Sequence, residues 1–209
     1  MVDINCRCGV VLKKFALAVA LAGAALTAQH AGAESTSAAG AGALSTAARL
    51  DFAVVIPRFL QFRVGSAGAT IDLITFTVPA ANVGDSSVIA GTGGDLGAGQ
   101  VTVIVRANSG QVTITPTNNS VGLGLGNGVA GQTISYANIS TASSAAATLA
   151  APTLSNAGGT ATTPTLNAGN VTNRNATWTY TYLNTTTPNS GTYGTSANGG
   201  RVTYTASTP

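Results

Sequence analysis

Residues 50–64 read LDFAVVIPRFLQFRV, with apolar side chains at every second position on both sides of a proline. Side chains of an extended chain alternate between two faces, so Leu50, Phe52, Val54 and Ile56 share one face before Pro57. Leu60, Phe62 and Val64 share one after it. Asp51, Arg58, Gln61 and Arg63 fall between them and suit a wet face, so the pattern predicts a strand, a break and a second strand. Each of these stretches needs a lateral partner for its backbone, and that need constrains the fold more than any other feature of the chain.

The same period returns downstream. Residues 70–78 (TIDLITFTV) predict a third strand with a phase slip, because Ile71 and Leu73 share one face while Ile74, Phe76 and Val78 share the other. A short strand is expected at 87–90. Residues 100–107 (QVTVIVRA) and 111–115 (QVTIT) flank Asn108-Ser109-Gly110 and predict a hairpin, stopped by Pro116. A further strand is expected at 133–139. Residues 140–170, rich in Ala, Thr, Ser and Gly, read as a surface excursion with one short strand near 148–154. In the last two expected strands, 176–184 and 201–207, Trp178, Tyr180 and Tyr182 alternate with Thr177, Thr179 and Thr181, and Val202, Tyr204 and Ala206 alternate with Arg201, Thr203 and Thr205. Seven to nine strands, with Gly, Asn and Pro between them and no amphipathic helical stripe, predict an all-β antiparallel β-sandwich over residues 50–209. Immunoglobulin-like and jelly-roll topologies both fit, and a closed barrel is the alternative.

The N-terminal region speaks to destination. Arg7, Lys13 and Lys14 precede an apolar run over 15–26, and Ala31-Gly32-Ala33 supplies a small-residue cleavage site, so residues 1–33 are expected to be a secretory signal peptide. The run is shorter than the roughly 20 residues of a spanning helix, and no later segment is longer, so no membrane span is expected. The expected location is bacterial cell surface or extracellular, reached through the periplasm. Residues 34–49 hold one large apolar side chain, Leu44, and predict a flexible N-terminal extension.

Loss of residues 1–33 would leave 176 of 209 residues with no Cys, His or Lys. A serine nucleophile then lacks its usual base, a cysteine nucleophile is missing, and zinc loses its preferred ligands. A carboxylate pair drawn from Glu34, Asp51, Asp72, Asp85 and Asp95 is the one catalytic device left, and these read more simply as strand-face and loop residues. The expectation is a non-enzyme with no catalytic residue, cofactor or metal. The glycine-rich stretches at 91–99 (GTGGDLGAG) and 122–128 (GLGLGNG) lack the lysine of a phosphate loop and predict tight turns. Asp85 precedes the first of them and Asp95 lies within it, and two carboxylates supply too few oxygens for calcium without several backbone carbonyls. Arg49, Arg58, Arg63, Arg106, Arg174 and Arg201 face five carboxylates, a net charge of +1 with the arginines dispersed, so no nucleic-acid partner is expected.

Two function classes remain. Trp178, Tyr180 and Tyr182 share a strand face and form either a stacking platform for a secreted glycan-binding or adhesive module, or the thickest part of the core, each ring burying on the order of 150–250 Å². The threonines between them favour the core. The other class rests on layout: a leader, a small-residue extension, an alternating apolar strand, a Thr-, Gly- and Ala-rich β domain and the closing strand GGRVTYTASTP together resemble bacterial fimbrial subunits and related pilin-like surface proteins. The resemblance implies a structural subunit of an extracellular appendage or surface layer that self-associates into a fibre or coat, with a periplasmic chaperone as a further partner. It also implies that Leu50, Phe52, Val54 and Ile56 act as a donor strand completing a neighbour's sandwich. Read from the residues alone, the same four side chains serve equally well as the first strand of their own domain.

Overall fold

A computed structural model describes residues 35–209. The expected leader lies outside them, as do Cys6, Cys8 and His30. The chain divides into two units, Met1–Val55 and Ile56–Pro209. In the first, residues 35–55 are exposed and form neither helix nor strand; Thr36 bonds the Thr46 hydroxyl and donates to the Ala47 carbonyl. The expected first strand at 50–56 is therefore not a strand of this chain, and the folded unit begins at Ile56 rather than at Leu50. The physical reason is the one that makes period two a constraint: an extended segment becomes a strand only beside another backbone, and residues 50–59 enter no ladder.

The second unit is all β, with antiparallel pairing throughout. Thirteen strands replace the expected seven to nine, because several are only two or three residues long. They are β1 (Leu60–Val64), β2 (Ile74–Thr75), β3 (Ile89–Ala90), β4 (Thr92–Gly93), β5 (Gln100–Ala107), β6 (Thr113–Asn118), β7 (Leu125–Gly126), β8 (Thr133–Ile134), β9 (Ile139–Ser143), β10 (Thr153–Ser155), β11 (Gly158–Thr160), β12 (Thr172–Tyr182) and β13 (Val202–Ser207). Two 3-10 turns, Ala80–Asn82 and Tyr136–Asn138, are the only helical residues described, and no described helix is long and apolar enough to cross a membrane.

The main sheet runs β1-β5-β12, with β3 continuing beside β12 beyond the end of β5 and β9 on the opposite edge of β12. Register aligns Leu60, Phe62 and Val64 with Ala107, Val105 and Val103, and these with Thr172, Arg174 and Ala176. That row, extended by Val101, Trp178, Tyr180 and Tyr182, faces the core. A second layer, β13 against β6, brings Ala206 opposite Ile114 and Tyr204 opposite Pro116. The layers meet on Trp178, Ile114, Tyr136, Leu149 and the β5 valines, all fully or almost fully buried.

The expected hairpin at 100–115 does not form. Its two strands exist, but β5 already has β1 on one edge and β12 on the other, so the turn at 108–110 carries the chain to the opposite layer, where β6 pairs β13. Nor does Pro116 stop a strand. Ile114 exchanges backbone hydrogen bonds with Thr162, at 2.8 and 2.9 Å, on the edge of β6 away from β13. Two residues on, the nitrogen of Pro116 points to that same edge, where no ladder needs a donor. The slip expected near Leu73 is absent: burial alternates without a break from residue 71 to residue 78, so Ile71 and Leu73 stay exposed on one face while Ile74 and Phe76 pack on the core from the other.

Candidate assembly surface

Residues 50–56 carry large apolar side chains with nothing over them. Leu50 is 76 % exposed, Phe52 86 %, Val54 84 % and Ile56 75 %. Isolated exposed leucines are ordinary, but these are five large apolar side chains, counting Val55, in one short stretch with one polar interruption.

Where the folded unit begins, Asn108 and Arg58 hold the chain. Asn108 accepts from the Phe59 amide at 2.9 Å through Oδ1 and donates to the Pro57 carbonyl at 2.8 Å through Nδ2. Its own amide donates to the Phe59 carbonyl at 3.4 Å. The Asn108 side chain thus imitates a further rung of the β1/β5 ladder in a stretch where Pro57 has no N–H to give. Arg58 donates to the Pro209 carbonyl at 2.5 Å, tying the same point to the segment that follows β13.

One flank of the two layers is open. Among the described residues β1 pairs only with β5 and β13 only with β6, so each keeps one free edge, and the two strands lie against each other across the layers. Their inward side chains are correspondingly half-covered. Leu60 is 38 % exposed, and Phe62, Val64, Val202, Tyr204 and Ala206 are partly buried, whereas Val103, Val105 and Ile114 on the neighbouring strands are sealed. A seam with two unpaired backbone edges and an apolar floor has the chemistry of a strand acceptor.

Trp178, Tyr180 and Tyr182 do not form an exposed platform. They are 0 %, 7 % and 5 % exposed, since their alternation places all three on the inward face of β12, between the layers. Trp178 meets the ring of Tyr204 edge to face at 5.3 Å, and Phe76 lies 6.2 Å from Tyr182. The Tyr180 and Tyr204 hydroxyls share a 2.9 Å hydrogen bond. Burial raises Tyr180 to about 12, an effect the bond to Tyr204 partly opposes, and burial alone raises Tyr136 to about 12. Tyr204 is pushed well up, by burial first and then by Tyr180.

Of the five candidate carboxylates, Glu34 lies outside the described residues, and Asp72, Asp85 and Asp95 are each committed to a loop of their own. Asp72 accepts from the Ser66 amide and hydroxyl at 2.6 and 2.8 Å, and Asp95 accepts from the Thr102 amide at 2.8 Å. Asp85 accepts from the Ser87 amide, from Asn82 and from buried Asn184 at 2.8, 2.7 and 3.0 Å. Its bonds to Ser87 and Asn82 lower it to about 2. Asp51 lies in the other unit. The arrangement supplies three backbone caps, with Asp85 and Asp95 turned to separate tasks rather than to a shared cation. The glycine loop between them is a tight turn: a Cβ on Gly94, at φ +81°, would stand 2.1 Å from the Gln100 carbonyl oxygen.

Two features were invisible to sequence reasoning. The seam exists only once β1 and β13 are known to be edges. Arg63 and Arg106, counted above as dispersed, are brought to adjacent strands on the outer face of the main sheet, diagonal to one another across the Gln61–Arg106 and Arg63–Ile104 rungs. Comparison with protein-family models, curated proteins and solved structures returns no match.

Proposed function

We propose that the chain is a non-enzymatic, secreted structural subunit of an extracellular appendage or surface layer, whose copies join by strand addition. Leu50, Phe52, Val54 and Ile56 of one copy enter the seam between β1 and β13 of the next. The observation that carries this reading is the exposure of the four alternating side chains at 75–86 %, in a segment that joins no ladder of its own chain. The half-covered row from Leu60 to Val64 and from Val202 to Ala206 supports it from the receiving side.

The energetics suit a polymer. Burying the four side chains contributes roughly 1.5–3 kcal/mol each, which offsets the ordering of about seven residues at 1–2 kcal/mol apiece. New backbone bonds along the two free edges then supply the net affinity, about 0.5–1.5 kcal/mol per bond. A segment matched to the seam by period alone pairs with any copy, so assembly continues head to tail. The test is a concentration series of the secreted chain followed by sedimentation velocity and electron microscopy. Ladders or fibres whose growth stops on truncation before Ile56 are expected; a chain that stays monomeric at millimolar concentration would remove the reading.

A further inference from the structure

The outer face of the main sheet carries a second, independent surface. Alternation sends Gln61, Arg63, Arg106, Asn173 and Asn175 outward, and the β1-β5-β12 register sets them in two adjacent rows with Ile104 at the centre. Phe59, held opposite Asn108 one rung further, ends the face with an aromatic side chain 48 % exposed.

Neither guanidinium on this face has a hydrogen-bond or ion-pair partner among the described residues, and the Arg63 Nε–H is buried with nothing to receive it. Asp72 and Asp95, which lie at the Gly65 end of these strands, are already turned to the Ser66 and Thr102 amides. Two neighbouring cations without a counter-charge repel each other, and an anionic acceptor laid across the strands relieves that repulsion through the outer nitrogens of the two guanidinium groups. The side-chain amides of Gln61, Asn173 and Asn175 also make no hydrogen bond within the described residues. Each offers both a donor and an acceptor, the pairing that a sugar hydroxyl uses.

We propose that this face binds an acidic carbohydrate, a uronate-bearing oligosaccharide whose carboxylate is taken by Arg63 and Arg106, whose hydroxyls meet Gln61, Asn173 and Asn175, and whose apolar ring face lies on Phe59. The fork of a guanidinium matches a carboxylate in two-point contact, and an exposed aromatic end favours a pyranose ring over an extended acidic peptide. A nucleic acid is disfavoured because two cations neutralise too few phosphates to hold one at physiological salt.

The experiment titrates the intact secreted chain with oligogalacturonate, with a neutral glucan oligomer of equal length and with a single-stranded oligonucleotide, by calorimetry at low and high salt. Binding of oligogalacturonate alone is expected, weakening with salt, and falling roughly tenfold for each guanidinium lost in Arg63→Gln and Arg106→Gln. Arg201→Gln serves as the control and leaves it unchanged. Should the double variant fail to fold, the Arg63 Nε–H resonance of the unmodified chain must move on adding oligogalacturonate. No binding at millimolar ligand, equal binding of the neutral glucan, tighter binding of the oligonucleotide, an unmoved Nε–H signal or an unaffected double variant would each overturn the assignment.

Discussion

Replacing Phe52 by aspartate separates folding from assembly. The side chain is 86 % exposed and lies outside the folded unit that begins at Ile56, so Phe52→Asp should leave the unfolding free energy within about 0.5 kcal/mol of the parent. In the proposed polymer the same ring enters an apolar seam, where its removal from water is worth roughly 1.5–3 kcal/mol. A carboxylate forced into that seam forgoes the gain and adds its own desolvation, so a loss of at least about 2–3 kcal/mol follows, a roughly 30- to 150-fold weaker association. Sedimentation velocity over a concentration series reads the association, and thermal unfolding at a fixed low concentration reads the fold. Phe52→Leu, which keeps an apolar occupant, should assemble nearly as well as the parent. The reasoning is refuted if Phe52→Asp polymerises like the parent, or if it destabilises the isolated chain by several kcal/mol, since the ring would then belong to its own core.

Asn108→Ala removes two hydrogen bonds that hold Pro57 and Phe59, and should lower stability by about 1–2 kcal/mol, or roughly 2–8 °C in a thermal melt, with Asn108→Asp keeping the acceptor and losing about half as much. Asp85 has a depressed folded-state pKa, so its contribution is present above the ordinary value of 3.8 and is lost as the pH falls through about 2; hydrogen exchange at the Ser87 amide should accelerate across that window and not above it. Tyr180 and Tyr136 have raised values, so the stability tied to keeping them neutral is complete below pH 10 and is lost as the pH climbs toward 12; ultraviolet titration should show their phenolate signal only near 12, and ionisation of either at 10 would contradict their burial. Trp178→Ala empties the centre of the core and should cost about 3–5 kcal/mol by chemical denaturation, whereas a loss under 1 kcal/mol would mean that the two layers do not close on that ring.

Much of this was legible before any coordinates. The alternation of Val101, Val103 and Val105 and of Trp178, Tyr180 and Tyr182 assigns each side chain to a face, and the buried face is the one the apolar residues occupy. The absence of the usual bases beyond residue 33 is likewise a property of the sequence. Asn108-Ser109-Gly110 predicts a hairpin that does not form, because these residues announce that the chain turns without saying through what angle. Gly110 at φ +114° is equally at home between paired strands and between layers.

What the amino-acid order determined, then, is orientation: which residues look inward, which outward, where the chain bends, and that two stretches near residue 57 ask for company. What only the tertiary structure decided is adjacency. Every residue but proline offers the same N–H and C=O, so period two selects a face without selecting a neighbour, and the choice falls to which edges are already occupied. Among the described residues that competition left 50–56 outside every ladder, left β1 and β13 each with a bare edge, and set Arg63 beside Arg106 on one sheet.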